Sequence, residues 1–590
     1  MENNSSFLWL WRTNTTLFKS GGIHVKITTS GSRRYVQLVE SYRDDAGKVK
    51  KRTVATLGRL DQVDSQLHAV ISGLMKVSGQ TPDAMPVPTS PPSIAFEAAR
   101  AFGDVWALTE LWKELGFSAL RQVFRKTRHM TDVEALIRVM VLNRLCDPES
   151  KLGVLRWVET VALPDVTVTA ITHQQLLRSM DALMEQQRAV DAVVAGLLRP
   201  LIDQDLSVVF YDLTTIGSEG LVTVPQDLRQ FGMAKEGLIA RQFLLGVVQT
   251  AEGLPIYHEV FDGNTAETKT LLPTLSKVLE RFPMVRRLVL IADRGLLSLD
   301  NLEALQAIRL TNGQSLEFIL AVPGRRYHEF TDLLESFQRE SCNTATEEVI
   351  GERTWNDLRL VIAHDPLTAA DQTAKRNARI EALVAQGDQW AGKLDDQDDG
   401  KKHRGRKLSD SGAKARFYHA VCEAHLSRII QVDMAAQQFS YDIDESARTL
   451  AERMDGKLLL VTNVQDLTPV EIVSRYKSLA DIERGFKVLK SELEIGPVYH
   501  RLPDRIRAHA AICFMALILH RVMRSRLRAS HTGLTPERAL EQLRRIQHHR
   551  VRLNGAPPVS GVSSIQECQS EVLHALRVKK PAASQQLTLL

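Results

Sequence analysis

Between Ser207 and Ala292 the sequence changes period in an order that few folds accommodate. Ser207–Ile216 is a continuous run of β-forming residues, and Phe243–Gln249 with Leu254–Phe261 reads as a hairpin across Thr250-Ala251-Glu252-Gly253. Thr268–Arg281 is then helical, and Leu288–Ala292 is a short buried strand. Asp212 lies in the first of these strands, and Asp293 directly follows the last.

The order strand, strand, strand, helix, strand is that of a ribonuclease-H-like core, in which the first and fourth strands lie side by side. Asp212 and Asp293 are therefore expected near each other at strand ends. Strand-like Leu458–Thr462 follows much later, and with it a strong helix. Thr468-Pro469-Val470-Glu471 opens that helix with an N-cap threonine, a first-turn proline and a capping-box glutamate, and Ile495-Gly496-Pro497 closes it. Leu479, Ile482, Phe486, Leu489 and Leu493 form its apolar stripe. Tyr476, Glu483 and Lys490 recur every seven residues, so on one continuous helix they share a line beside that stripe. Glu483 is thus placed at the edge of a buried face, where a carboxylate is held rigidly yet meets a ligand.

Tyr476, Glu483 and Lys490, within Tyr-Lys-Ser-Leu-Ala-Asp-Ile-Glu-Arg-Gly-Phe-Lys-Val-Leu-Lys, resemble the Y-x2-R-x3-E-x6-K signature of bacterial insertion-sequence DDE transposases of the insertion-sequence-four type. Phe210-Tyr211-Asp212-Leu213-Thr214-Thr215 resembles the first-aspartate strand of that group, and Ile291-Ala292-Asp293-Arg294-Gly295-Leu296 the second. His258–Leu271 is similar to the segment between them, and His500-Arg501 with Arg505-Ile506-Arg507-Ala508-His509 to the helical region after the glutamate. The resemblance runs in order over residues 24–525. One position departs from it: Leu479 stands where the signature has arginine, so that arginine's role falls to Arg475 or Arg484 or is absent.

The resemblance implies a cut-and-paste DNA transposase: metal-dependent cleavage at the element ends, then transfer of the 3′-hydroxyl into target DNA. Asp212, Asp293 and Glu483 would be the catalytic carboxylates, holding two Mg²⁺ ions for which Mn²⁺ substitutes. Tyr476, Lys490, Arg294, Arg484, Arg501 and Arg505 would contact DNA. The partners implied are double-stranded DNA, as terminal inverted repeats and target, and a second copy of the chain in a synaptic complex. Two alternatives stay open: a nuclease of the same fold that hydrolyses without joining, and an inactive DNA-binding protein of transposase descent. No Gly-x4-Gly-Lys-Ser/Thr loop occurs, so no nucleotide cofactor is expected.

The remaining chain is read around this core. Residues 22–76 form an N-terminal β-rich module, with Tyr35–Tyr42 and Val49–Leu57 as strands and basic Lys48, Lys50, Lys51 and Arg52 on the return strand. A Pro-rich linker spans 77–93, and a helical domain expected to bind DNA spans 94–200, where Thr131 to Glu134 reads as a capping box. The core occupies 205–323 and 457–498, interrupted at 324–456 by an insertion whose residues read as mixed and less regular, and which the resemblance implies to be a β-rich domain. Within it, Asp395–Asp399 precedes basic Lys401–Lys407 in a charged loop, and Trp355 is expected in a core. Basic helices are expected over 499–580 and a disordered tail over 581–590. The fold class is thus α/β and multi-domain.

Composition adds one sharp observation. The net charge of the 590 residues is only +5, yet Arg501–Arg552 carries twelve arginines and three acidic residues. Such concentrated positive charge suits phosphate binding, with Arg521, Arg524 and Arg528 on one helix face. Five dispersed cysteines fit no zinc spacing or disulfide framework, and His258, His500 and His509 are too scattered for a zinc site. The apolar run Ala510–Leu519 is half a membrane span. A cytoplasmic, nucleoid-associated bacterial protein is expected.

Overall fold

The structure, a computed structural model, describes residues 23–30, 33–44, 48–59, 94–125, 131–166, 171–202, 207–220, 222–233, 239–293, 299–342, 346–400 and 407–582. The linker expected at 77–93, Arg294, the basic block Lys401–Arg406 and nearly all of the tail lie outside these residues. The chain divides into two compact units, one drawing on residues up to Ala99 with His548–Ser564, the other on Arg100–Gln547 with Ile565–Pro581.

In the first unit, β1 (Ile23–Ser30), β2 (Arg33–Arg43) and β3 (Val49–Arg59) form the expected antiparallel sheet. The Asp44 and Lys48 backbones close the second hairpin, and the Asp44 carboxylate also accepts from the Lys48 amide at 3.0 Å. Two basic residues of β3 pair within the sheet, Lys50 with Asp44 at 3.1 Å and Arg52 with Glu40 at 2.7 Å. Residues 94–101, expected to be helical, are instead strand β4 (Ile94–Ala101), which pairs with the strand Gln547–Leu553. That partner lies hundreds of residues along the chain, and Glu97 fastens it through Arg550 and Arg552 at 3.0 and 2.7 Å. The helical period begins only after Phe102.

The second unit opens with α1 (Gly103–Glu114), α2 (Leu120–Arg125), α3 (Val133–Cys146), α4 (Lys151–Thr160), α5 (His173–Glu185) and α6 (Gln187–Leu198). The cap of α3 is Asp132 rather than Thr131, accepting from the Ala135 amide at 3.1 Å. Glu134 does not complete a capping box, because its carboxylate turns into the core to accept the Trp112 indole N–H at 2.8 Å.

The central sheet follows: β5 (Ser207–Gly217), β6 (Gln230–Met233), β7 (Ile239–Thr250), β8 (Pro255–Asp262), helix α7 (Leu271–Arg281), β9 (Leu288–Ala292), α8 (Leu299–Ala307) and β10 (Glu317–Ala321). Strands β8 and β7 pair antiparallel, as do β7 and β5, whereas β5, β9 and β10 run parallel. This is the arrangement expected of a ribonuclease-H-like core, with the first and fourth of the expected strands adjacent.

The insertion departs from expectation. Its strands β11 (Val349–Trp355) and β12 (Leu358–His364) do not build a separate β-domain. They extend the central sheet, because β15 (Lys457–Thr462) pairs with β12 on one edge and with β10 on the other. Between β12 and β15 the chain is mainly helical: α9 (Thr331–Phe337) precedes them, and α10 (Pro366–Asp398), α11 (Asp410–Glu423) and α12 (Glu445–Met454) surround only a two-stranded ladder, β13 (Ile430–Val432) and β14 (Tyr441–Ile443). A proline at the first helical position and a run of good helix formers explain α10, whose C-terminal end carries the acidic block that was expected in a loop. These helices share their own apolar cluster around Ile380, Phe417 and Phe439. Trp355 lies half-buried with its ring 5.0 Å from that of Phe330.

Helices α13 (Pro469–Lys477), α14 (Ala480–Lys487), α15 (Pro503–Ala529), α16 (Pro536–Arg544) and α17 (Glu567–Ala575) complete the second unit. Helix α15 is long and apolar enough to cross a membrane, but 94% of its most apolar window is buried inside the protein against α3, α5 and β8, as a core helix is. The C-terminal region is not wholly helical as expected: β16 (Gln547–Leu553) and β17 (Val559–Val562) form an antiparallel hairpin in which Val551 pairs with Val559.

Candidate active site

Parallel strands β5 and β9 bring the two aspartates together. Phe210 pairs with Ile291 and Tyr211 with Ala292, so Asp212 and Asp293 each stand one residue beyond a paired position. Neighbouring strands lie about 4.8 Å apart. Side chains alternate across a sheet, so Asp212 shares a face with Phe210, and Asp293 continues the face of Ile291. That face belongs to one apolar cluster, formed by Phe210, Val289, Ile291 and Ile319 with Ile472, Val473, Leu479 and Ile482 from the covering helices. Both aspartates are half-buried. Asp293 directly follows the carboxyl end of β9, whereas Asp212, expected at a strand end, lies in the middle of β5, at the point where its parallel pairing with β9 stops and its pairing with β7 continues to Gly217.

The covering helices carry Glu483. Thr468 caps α13 with the full reciprocal box, its hydroxyl accepting from the Glu471 amide at 3.3 Å and its own amide donating to Glu471 at 2.8 Å. The expected apolar stripe is present, since Leu479, Ile482, Phe486, Leu489 and Leu493 are all buried. The expected single helix is not. It tightens at Ser478-Leu479, where the Leu479 and Ile482 amides donate three residues back at 2.9 Å, and widens into a π-helical turn at Val488–Glu492. These changes of pitch mean that Tyr476, Glu483 and Lys490 no longer follow one uniform helical line. Glu483 is exposed on α14, which packs against β5, while Tyr476 and Lys490 are half-buried.

One oxygen of each aspartate is held by this chain. The Leu213 amide donates to Asp212 Oδ1 at 2.7 Å, and the Tyr476 hydroxyl donates to Asp293 Oδ1 at 2.9 Å. An all-carboxylate donor set fits a hard divalent cation, which takes oxygen ligands and retains some waters. Among the described residues, ligand atoms of three groups all within 4.8 Å of one another occur at Glu492, His520 and Glu537, not at Asp212, Asp293 and Glu483.

The residues expected at DNA are dispersed. Arg484 and Arg501 are exposed. The Arg505 guanidinium grips Asp181 with two 2.8 Å hydrogen bonds, tying α15 to α5. Arg521 is buried rather than presented on a basic face, and Arg526 pairs with Glu114 at 2.7 Å, so part of the positive charge near the C-terminus holds helices together. The scattered histidines are likewise structural. His258 stacks on Phe514 at 4.4 Å, and His509 bonds the Ile495 carbonyl at 2.9 Å.

Two features near the site carry no recognisable sequence signal. Gly485 lies against Gln249 and Arg521, where a Cβ would come within 3.0 Å of the Arg521 guanidinium and 3.4 Å of the Gln249 amide oxygen. His520 is buried with its Nε2 3.0 Å from both Glu492 Oε2 and Glu537 Oε1. Burial pushes the His520 imidazole down, but hydrogen bonds to the two carboxylates outweigh it and hold its pKa above the ordinary value. Arg524 and Arg528 line the same hollow, which makes it a poorer host for an added cation than for a protonated histidine. Each contact joins elements far apart in sequence, so no local motif marks it.

A family model described as IS1634 family transposase, N-terminal domain, matches residues 23–84, and one described as Transposase DDE domain matches residues 244–519. The second match contains Asp293 and Glu483 and begins after Asp212. Among solved structures, a piggyBac transposase synaptic complex with hairpin DNA covers 77% of this chain and 82% of its own at 9% identity and a TM-score of 0.36, a likeness too distant to carry an inference. No curated protein matches. The two family matches together cover more than half of the chain, and in agreement with the mixed α/β core they identify it as an insertion-sequence DDE transposase, a DNA-processing enzyme.

Proposed function

We propose that the protein moves its own element by cut-and-paste transposition, with Asp212, Asp293 and Glu483 as the ligands of two divalent cations, Mg²⁺ in the cell. The observation that carries this reading is the adjacency of Asp212 and Asp293 on the sheet face that the Glu483 helix covers. Bound cations would supply activation of the attacking oxygen and stabilisation of the leaving one. Asp212, on an interior strand of the sheet, with Asp293 and Glu483 would hold those ions. Lys490, Arg484 and Arg501 lie on or after the glutamate helix and would hold DNA phosphates.

The reaction balances without a nucleotide. Water attacks phosphorus at the element end, the bond from phosphorus to the 3′-oxygen breaks, and a 3′-hydroxyl is released. That hydroxyl then attacks a target phosphodiester, forming one phosphorus–oxygen bond as another breaks. Handling two ends together requires two copies of the chain on DNA.

The test combines purified protein, Mg²⁺ and DNA carrying the element ends. Cleaved ends joined to target DNA are expected, and single replacement of Asp212, Asp293 or Glu483 by Ala should abolish both steps while sparing DNA binding. Cleavage without any joined product would identify a nuclease instead. Full cleavage after one of the three replacements would remove that residue from the site.

A further inference from the structure

We infer that Tyr476 is a positioning residue for the Asp293 carboxylate, rather than a residue that grips DNA. The inference rests on the proposed reading of Asp293 as a metal ligand and deepens it.

The geometry is specific. Ile472 and Val473 bury one face of α13 against the sheet, and Tyr476, three and four residues on, packs against the same apolar cluster. Its ring therefore lies along the sheet, and its hydroxyl emerges at the end of β9, 2.9 Å from Asp293 Oδ1. Leu479, buried in the same cluster, seats the junction of α13 and α14 on the sheet by apolar packing. The cap at Thr468 fixes the other end of α13. A semi-rigid aromatic side chain anchored on a capped, packed helix is a good device for holding one carboxylate oxygen in place.

Chemistry points the same way. A phenol carries one proton to donate. While that proton lies on Asp293 it is not available to a DNA phosphate. A hydrogen bond to an ionised carboxylate is among the stronger and more directional ones, and it selects which face of the carboxylate meets a cation. Groups that orient metal ligands in this way commonly change metal affinity about 10–100-fold when removed. Asp212 receives a restraint from the Leu213 backbone amide, which side-chain truncation leaves in place, whereas the Tyr476 bond to Asp293 comes from a side chain.

The test uses the full-length protein and Tyr476→Phe, which keeps the ring in its apolar seat and removes only the hydroxyl. Mn²⁺ binding to the DNA-free protein is followed by electron paramagnetic resonance, and affinity for end DNA is measured separately in EDTA. Half-saturation by Mn²⁺ should shift at least tenfold upward, with metal-free DNA affinity within twofold of wild type. Cleavage by the variant should recover as Mn²⁺ is raised. In an Asp293→Ala background, Tyr476→Phe should have no further effect on Mn²⁺ binding. Unchanged Mn²⁺ binding in the variant overturns the inference, whether DNA affinity holds or falls, and a fall would mark Tyr476 as a DNA ligand. If Asp293→Ala itself leaves Mn²⁺ binding intact, the reading of Asp293 as a metal ligand fails, and that outcome is distinct because it does not involve Tyr476.

Discussion

Asp212 on β5 and Asp293 directly after β9 stand side by side, each one residue past the Tyr211–Ala292 pair. Two carboxylates at that spacing repel each other when no cation lies between them. Asp212→Asn should therefore stabilise the metal-free protein by about 1 kcal/mol, a gain typical of relieving strain at an active site. Mg²⁺ should raise the Tm of wild type and leave that of the variant unchanged. Differential scanning fluorimetry with EDTA and with Mg²⁺ provides both readings, and an equal Mg²⁺ shift in the two proteins would place the cation elsewhere.

Gly485 sets the distance of the glutamate helix from its neighbours. A methyl group there meets Arg521 and Gln249 at 3.0 and 3.4 Å, so small shifts accommodate it, and alanine also adds up to about 1 kcal/mol of helix propensity. Gly485→Ala should be close to neutral in stability, with activity within threefold of wild type. Gly485→Leu cannot fit without lifting α14, and strand cleavage should fall more than tenfold. Equal activity of the two variants would show that the close approach is not needed.

Half-buried histidines with lowered pKa values make the fold sensitive to acid. Burial pushes the His258 pKa down to about 4, and burial with nearby Lys151 does the same to His500. In the unfolded chain both take up a proton near pH 6.5, whereas the folded protein refuses it until about pH 4. The unfolded state thus binds more protons across this window, and stability present above pH 6.5 is lost as the pH falls toward 4. Each histidine contributes on the order of 2 kcal/mol to that loss. His258→Phe keeps an aromatic ring against Phe514 and should flatten the decline in urea midpoint between pH 7.5 and 5. An unaltered decline would exclude His258 as a source.

The helical part of the insertion has its own core. Phe417 is fully buried among Trp390, Phe439 and Tyr441, with ring centroids 6.2, 5.4 and 4.9 Å away. Phe417→Ala should cost about 3–5 kcal/mol. Hydrogen exchange should speed up across α10, α11 and α12 and remain slow in β5 and β9. Uniform acceleration over the whole second unit would mean that the insertion does not open separately.

Elements with a strong local period were legible from the residues alone. The strands Ser207–Ile216 and Leu288–Ala292, the hairpin turning at Gly253 and the Thr468 cap all recur in the structure within a residue or two. Each is encoded by alternation, by turn residues or by a reciprocal cap, interactions that span only a few positions. The adjacency of Asp212 and Asp293 was also legible, because strand order limits which strands can be neighbours. The pitch changes around Glu483 were not, since they arise where α13 and α14 seat Leu479 in the cluster while Gly485 meets Arg521.

Partners chosen across long stretches of chain were invisible in the same sense. Nothing near Ile94 announces β16 as its strand partner, nothing near Leu358 shows that β12 will extend the core sheet, and the basic character of Arg505 hides a clamp on Asp181. The hydroxyl of Tyr476 meets Asp293 across 183 residues. Periodicity and capping act over one or two turns and so are written in neighbouring residues. The partner of a hydrogen bond or an ion pair is selected by which surfaces the packed core brings into register, and it exists only once the chain has folded.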